Sequence, residues 1–155
     1  MTQAQIDVQK VVRRAFFDSI EDEMDKHPVK SADWLVKLHY ELAQRFKAIL
    51  PSKQRDIDAR LDTDLFEQQL KAGAYGSEQM GPLIEYTWAL LRMACAPDMD
   101  KDVQAAYEEV AGALVPGAAF SKVVPLYLRH AHMQLDEIID RIQMLHKGEG
   151  GGAGM

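Results

Sequence analysis

The spacing of apolar residues predicts helices from one end of the chain to the other. Apolar residues recur every three or four positions in each long segment, and no segment alternates apolar and polar residues as a half-buried strand does. Pro28, Pro51, Pro97 and the Pro116–Gly117 pair interrupt these segments, because proline lacks an amide proton and disfavours helix at the residue before it. The pattern predicts an all-α fold, a single bundle of about six helices.

The first predicted helix runs from Gln3 to Lys26. Its core-facing stripe is predicted from residues three or four apart: Val8, Val12, Ala15, Phe16, Ile20 and Met24. The second helix follows a predicted N-cap at Ser31 and repeats Leu35, Leu38, Leu42, Phe46 and Ile49 in the same way. Trp34 and Trp88 fall at helical spacing among apolar residues, so we expect both in the core.

The most apolar segment of the chain spans residues 83–95. Apolar residues line nearly every side of it, so the sequence predicts a buried central helix over about residues 78–95, wrapped by the other helices. A proline ends this helix, and three aspartates follow: Asp98, Asp100 and Asp102. Their carboxylates are expected to cap the next helix by accepting bonds from its free amides.

The last predicted helix, from Phe120 to Lys147, carries a heptad seam. Its apolar residues lie at 3-4-3-4-3 spacing: Leu128, Ala131, Leu135, Ile138, Ile142 and Leu145. The seam lasts only about two and a half heptads, which favours an intramolecular face over an oligomer zipper. A single domain is predicted over residues 1–147, and the glycine-rich end at 148–155 is predicted to be a flexible tail.

Composition narrows the class of protein. The chain has 155 residues, 47% hydrophobic and 27% charged, which suits one soluble globular domain with a proper core. Its net charge of −6 argues against nucleic-acid binding, which usually shows a basic footprint. No apolar stretch reaches about 18 residues without charge, so no membrane span is expected. The lone Cys95 excludes an internal disulfide and fits a reducing compartment.

The aspartate run is the clearest candidate for metal binding. Counting from Asp98, oxygen-bearing side chains fall at positions one, three, five, seven and twelve, as in a calcium loop. The sixth position, which needs glycine for the tight turn, is Val103. We therefore favour a helix-capping role, and the sequence leaves open whether the run binds an ion.

Other chemistry-bearing residues receive structural interpretations. His132 and Asp136 are four apart and are predicted to form a surface ion pair, while His130 points away from both. Cys95 lies on the most apolar helix, where its pKa is expected to be raised and its thiol unreactive. No phosphate-binding loop, dinucleotide fingerprint, serine-hydrolase elbow or zinc-protease motif is present. We predict no catalytic, cofactor-binding or metal-binding residue, and no enzyme activity.

Two charged surfaces remain as candidates for binding a partner. One is a basic cluster around Pro51, formed by Lys47, Lys53, Arg55 and Arg60. The other is the basic part of the first helix, formed by Lys10, Arg13 and Arg14. Each is either an ordinary solvated face or the electrostatic footprint of a partner.

Four stretches of the chain form a pattern of motifs in order and at matching separations. Residues 11–18, Val-Val-Arg-Arg-Ala-Phe-Phe-Asp, match a first-helix "A-F-W-D" motif, and residues 50–57 match a break of the form "L-L-P…L-R…I". Residues 61–68 match "L-D-M-D-L…Q", and residues 94–103 match "L-C-A-P-V-R-D…V". Together these stretches resemble the amino-terminal part of the T-complex protein 11 family, over about residues 8–145.

The chain departs from this family at Met99, where members carry arginine. Members are also typically longer, and this chain ends where roughly the first third of one would, so it is either a compact divergent member or a fragment. The resemblance implies a helical, intracellular, non-enzymatic protein without cofactors, associated with the cyclic-AMP and protein-kinase-A pathway and with sperm flagella. It supplies no catalytic residues.

We therefore predict a helical adaptor that binds protein partners of that pathway, in the cytoplasm and in the cilium or flagellum. The alternative is a structural subunit of a larger ciliary or organellar assembly. The residues predicted to bind the partner are those of the last seam and the two basic surfaces: Leu128, Leu135, Ile138, Ile142, Leu145, Arg13, Arg14, Lys53 and Arg55.

Overall fold

A computed structural model describes residues 3–26, 28–72, 77–118 and 120–153. Within these ranges the chain is helical and has no strand, which confirms the predicted all-α fold. The helices are α1 (Gln3–Lys26), α2 (Pro28–Ile49), α3 (Gln54–Arg60), α4 (Thr63–Lys71), α5 (Ser77–Ala94), α6 (Asp100–Ala113) and α7 (Phe120–Ala153), with 3₁₀ turns at Pro51–Lys53 and Pro97–Met99. None of these helices is long and apolar enough to cross a bilayer.

Helix α7 is the scaffold of the bundle. It packs against α1 and α2 on one side and against α5 and α6 on the other, while α4 covers the far side of α2. Helix α1 runs antiparallel to α7, because Lys10 pairs with Glu137 and Asp18 pairs with Arg129. The first and last helices of the chain therefore lie side by side.

The core is built from side chains of each of the seven helices α1 to α7. Its biggest fully buried members are Trp88, Tyr127, Phe17 and Phe46. The indole Nε1 of Trp88 donates a 3.0 Å hydrogen bond to the carbonyl of Val103, so this buried polar group is satisfied. The predicted core residues of α2 are confirmed, since Leu35, Leu38, Leu42 and Phe46 are buried and Ile49 is half-buried.

The predicted buried helix corresponds to α5, and its core face is confirmed by the full burial of Trp88, Leu90 and Leu91. The helix is nevertheless not wrapped on every side. Glu85 is exposed, and Ala89 and Met93 are exposed on the same strip, one and two turns further on. Burying the Glu85 carboxylate would cost free energy, so this side of α5 faces water and its apolar neighbours are exposed with it. The central position belongs to α7.

Helix α7 continues to Ala153, into the stretch that the sequence predicts to be a flexible tail. Glycines occupy positions 148, 150, 151 and 152. Each costs a helix about 1 kcal/mol relative to alanine, so this end of α7 has little intrinsic stability. Residues 154–155 lie outside the part that the structure describes.

Candidate protein-interaction surface

The outer side of α1 carries an apolar face that no described residue covers. It consists of Ala4, Val8, Val11, Val12 and Ala15, which we call the valine face. The valines are 61% (Val8), 65% (Val11) and 62% (Val12) exposed. These residues are three or four apart and so form one continuous strip along the helix.

The predicted core stripe of α1 is therefore wrong for Val8, Val12 and Ala15. Among the α1 side chains that the structure describes, Phe17 is fully buried and Phe16 is half-buried. Hydrophobic burial scales with area, so the larger Phe17 side chain gains more from the core than a valine or alanine does. Ile20 and Met24, also predicted in that stripe, have side chains outside the described part of the structure.

Phe16 and Trp34 extend the apolar surface at one end of the valine face. The two rings pack edge to face with centroids 5.4 Å apart. Trp34 is not the core residue that we predicted, because it is 40% exposed, with the Lys37 ammonium over its ring. Val12 precedes Phe16 by one turn, so an apolar path leads from α1 to Trp34 on α2.

Charged residues line the other flank of the valine face. Asp7, Arg14 and Asp18 alternate in sign along that side of α1, and all three are exposed. Arg14 is one of the two arginines of α1 that the sequence predicts to bind a partner, and this assignment stays a prediction. The side chain of Arg13, the second predicted arginine, lies outside the described part of the structure.

Ion pairs hold the inner side of α1 on α7. The Nζ of Lys10 lies 2.8 Å from Glu137 and 3.7 Å from Asp140. Partial burial acts to lower the pKa of Lys10. The hydrogen bond and charge of Glu137, together with the charges of Asp140 and Asp136, outweigh this effect, and the pKa of Lys10 is raised overall. Lys10 therefore stays charged at neutral pH, and α1 presents its valine face outwards.

The seam of α7 is not a partner-binding surface over most of its length. Leu128, Leu135 and Ile138 are buried in the core, which corrects their assignment to an interface. They are covered because four helices pack around α7. Ile142 is half-buried, and only Leu145 of the predicted set is well exposed, at 62%.

A groove of about 650 Å³ lies between α1, α6 and α7. Ion pairs cross its rim: Arg141 binds both carboxylate oxygens of Asp98, and His130 lies 2.9 Å from Glu109. Much of the charge around this groove is thus already compensated within the chain. That makes it a weaker candidate for partner binding than the valine face.

The aspartate run does not act as the expected cap. The N-cap of α6 is Met99, which makes no side-chain capping bond. Asp98 binds Arg141 instead, and Asp100 lies 3.4 Å from the thiol of Cys95. No group of three or more acidic, histidine or cysteine side chains converges on a metal site within the described ranges.

The thiol of Cys95 is a poor nucleophile in this environment. Burial, followed by the hydrogen bond and charge of Asp100, raises its pKa. The thiolate, which is the reactive form, is therefore scarce at neutral pH.

His132 does not lie on the surface, as the predicted surface ion pair with Asp136 required. His132 is fully buried, and Arg45 of α2 stands between the two residues. Its guanidinium donates to Nδ1 of His132 at 2.9 Å and to Asp136 at 2.7 Å. Since Nδ1 accepts, the imidazole proton resides on Nε2, which lies 2.9 Å from the carbonyl of Leu38 and donates to it. This network joins α2 to α7 in the interior.

The basic cluster near Pro51 is interleaved with acids and an aromatic ring. Lys47 pairs with Asp58 at 2.8 Å. The Arg60 guanidinium lies 4.6 Å from the centre of the Tyr86 ring. Lys53 and Arg55, the two residues predicted to bind a partner, are exposed, but the cluster as a whole does not form a uniform basic patch.

Sequence reasoning missed Val11 and Trp34 as exposed apolar residues. The pattern that reveals the valine face was available, because Ala4, Val8, Val11 and Ala15 repeat at four-three-four spacing. What the sequence could not indicate is which of two apolar sides of the same helix faces the core.

The sequence of this all-helical chain matches one known protein family. A sequence model described as T-complex protein 11 matches residues 2–147. No curated protein and no solved structure matches the chain.

Proposed function

Because the chain belongs to the T-complex protein 11 family, we propose that it is a non-catalytic protein-interaction domain whose valine face binds an amphipathic helix of a partner protein. The single observation that carries the proposal is the exposure of Val8, Val11 and Val12 on one strip. Exposed apolar strips of this kind mark interaction sites in soluble proteins.

The shape and charge of the surface favour a helical partner. Valine and alanine side chains are short, so a second helix can approach α1 closely along its length. On the flank, Arg14 is exposed. A partner helix with an acidic residue at the facing position complements it, which adds specificity and association rate more than affinity.

The extent of the surface favours reversible binding. A strip one helix wide falls at the small end of protein interfaces, well below the roughly 2,000 Å² and more of permanent assemblies. This supports an adaptor over the alternative of a structural subunit. From the resemblance to the family, the proposed partners are components of the cyclic-AMP and protein-kinase-A pathway, in the cytoplasm and in the cilium or flagellum.

The test uses two matched triple variants of the full chain. One removes the valine face by Val8→Ser, Val11→Ser and Val12→Ser. The control, Met93→Ser, Val115→Ser and Met144→Ser, removes exposed apolar residues elsewhere. Urea denaturation first establishes that both variants remain folded. Binding of purified protein-kinase-A regulatory and catalytic subunits is then measured by surface plasmon resonance, alongside affinity capture from cell extract.

The proposal predicts substoichiometric capture of kinase-A pathway proteins by the wild type and the control, and at least tenfold weaker binding by the valine-face variant. Equal binding by both variants contradicts the assigned surface. A fixed set of subunits at constant ratio contradicts the adaptor function in favour of the assembly component. If the chain co-purifies only with another copy of itself, and the valine-face variant loses this contact, the valine face binds a second copy of the chain and not a partner helix.

A further inference from the structure

The valine face of α1 is complementary to itself when a second copy of the helix runs in the opposite direction. Ala4, Val8, Val11 and Ala15 follow one another at intervals of four, three and four residues, and this spacing is the same read from either end. Two antiparallel copies therefore place Val8 of one opposite Val11 of the other, and Ala4 opposite Ala15. Since these valines are 61% and 65% exposed in the single chain, each copy offers the cover that the other lacks.

The side chains of this strip allow two helices to approach closely. The distance between packed helix axes depends on the side chains at the contact, and valine and alanine are both short. In the antiparallel register the larger valines meet at the centre and the alanines meet at the two ends. The contact extends over the 11 residues from Ala4 to Ala15, which is about 16 Å of helix. One patch on each copy is enough for a twofold pair, the commonest form of homo-oligomer.

A charged flank favours the antiparallel direction. Asp7 and Arg14 each precede a residue of the strip by one position, and both are exposed on the same side of it. In an antiparallel pair this flank meets the same flank of the other copy, where charged side chains set orientation. Arg14 then lies only about 3 Å along the axis from the position opposite Asp7. A carboxylate accepts at two oxygens, so Asp7 can take this bond in addition to contacts within its own chain.

A parallel pair has neither of these electrostatic advantages. The flank with Arg14 would face the other side of the strip, where Gln5 and Val12 carry no charge. The partial positive charges at the two helix N-termini would also lie side by side, whereas antiparallel helices place each beside a partial negative charge.

We propose that two copies of the chain pair through antiparallel α1 helices and cover each other's valine faces while no partner helix is bound. The pairing stands on the observations above, whereas its consequence, that the chain masks its own binding site, rests on the proposed function. The contact is smaller than the roughly 1,200–2,000 Å² of stable complexes, so we expect a dissociation constant on the order of 100 µM. A partner helix that binds more tightly displaces the second copy.

Sedimentation equilibrium of the purified full chain, without any partner, tests the pairing. The apparent mass of the wild type is expected to rise from 17.5 kDa towards twice that value as the concentration increases to about 1 mM. The variant with Val8→Ser, Val11→Ser and Val12→Ser should dissociate at least tenfold more readily. The control with Met93→Ser, Val115→Ser and Met144→Ser should behave as the wild type. A wild type that stays monomeric, or equal association of the two variants, overturns the proposal.

Disulfide cross-linking tests the direction and register. Ala4→Cys and Ala15→Cys are introduced into separate chains that also carry Cys95→Ala, and the two are mixed under mild oxidation. The mixture is expected to form linked pairs, whereas neither variant should do so alone. In the antiparallel register the two copies of position 4 lie about 16 Å apart along the axis, beyond the roughly 7 Å that a disulfide allows between Cα atoms. Equally efficient linking within each variant alone overturns the antiparallel pair.

A charge exchange tests the flank. Arg14→Asp places like charges together across the antiparallel pair and is expected to weaken association about threefold to tenfold, as suits exposed charges. Adding Asp7→Arg to the same chain exchanges the two charges and should restore the wild-type association. Failure of the second substitution to restore pairing contradicts the contact between these flanks.

Masking is tested separately with the protein-kinase-A subunits already used as probes. The cross-linked pair is expected to bind them at least tenfold more weakly than the same chains do after reduction. Equal binding before and after reduction overturns the masking. If no form of the chain binds these subunits, the proposed function fails instead, and sedimentation of the wild type still decides whether the two copies pair.

Discussion

Helices α1 and α7 carry similar apolar repeats and put them to opposite use. In α7 the repeat through Leu128, Leu135 and Ile138 lies in the core. In α1 the repeat through Val8, Val11 and Ala15 faces outwards. Apolar spacing of three and four residues therefore locates a helix and an apolar stripe on it. Whether that stripe is covered depends on the size of the competing side chains and on the number of neighbouring helices.

Position in the bundle explains the difference. Helix α7 has neighbours on two sides, so almost any large apolar residue on it finds cover. Helix α1 lies at the edge, with α2 and α7 as its main neighbours, so one of its two apolar sides stays outside. The side with Phe17 is inside because it removes more apolar area from water.

The sharpest test of this comparison replaces one residue of each repeat by alanine. Leu135→Ala on α7 is expected to lower the free energy of unfolding by about 2–5 kcal/mol, because it leaves a cavity in a closed core. Val11→Ala on α1 is expected to change it by less than about 0.5 kcal/mol, since no packing is lost and alanine favours helix. Urea denaturation followed by circular dichroism measures both. Comparable losses would show that a covered valine face is part of the folded state.

Acid provides a second test, on the side of α2 that faces away from α1. His39 is neutral in the fold with a pKa lowered to about 4, whereas the unfolded chain protonates it below its ordinary value of 6.5. The unfolded state therefore binds the extra proton as the pH falls from about 6.5 to 4. Stability is unaffected above that window, falls within it by up to about 3 kcal/mol, and levels off below it.

The control for the acid test is His39→Phe, because other histidines also titrate in this range. The free energy of unfolding of the wild type minus that of the variant should decline between pH 6.5 and 4. Asp62, Arg60 and Glu78 line the same cavity as residue 39 in both proteins, so their contributions cancel in the difference. Parallel pH profiles of the two proteins contradict the burial of a neutral His39.

The smallest expected changes in stability come from removing the charged side chains that link α7 to α2 and to α1. Arg45→Met on α2 removes the hydrogen bonds to Asp136 and to Nδ1 of the buried His132 and should cost about 1–3 kcal/mol. Lys10→Met on α1 removes a pair with Glu137, which is half exposed, and should cost less than about 1 kcal/mol. Thermal melts at low and high salt check both. A larger loss for Lys10→Met would mean that α1 depends on its ion pairs more than on Phe17.

The sequence predicted the elements better than their contacts. The bounds of α1 at Gln3 and Lys26 and the burial of Trp88 follow from periodicity and breakers, which act over a few residues. The link from Arg45 to His132 joins positions 87 apart, and nothing in local spacing encodes it. His39 could have been recognised as buried, because it lies four residues after Leu35 and three before Leu42 on the core stripe of α2. Its contacts with Thr63 and Phe66 join positions that only the fold brings together.

The antiparallel contact of α1 with α7 has a consequence for synthesis of the chain. Lys10 meets Glu137 across 127 positions, and Asp18 meets Arg129 across 111. At translation rates of about 5–20 residues per second, α1 is complete roughly 5–25 seconds before its partner helix emerges from the ribosome. Until then both of its apolar sides are open to chaperones, apart from what α2 covers. Helix α1 is thus made well before the helix that holds its inner side.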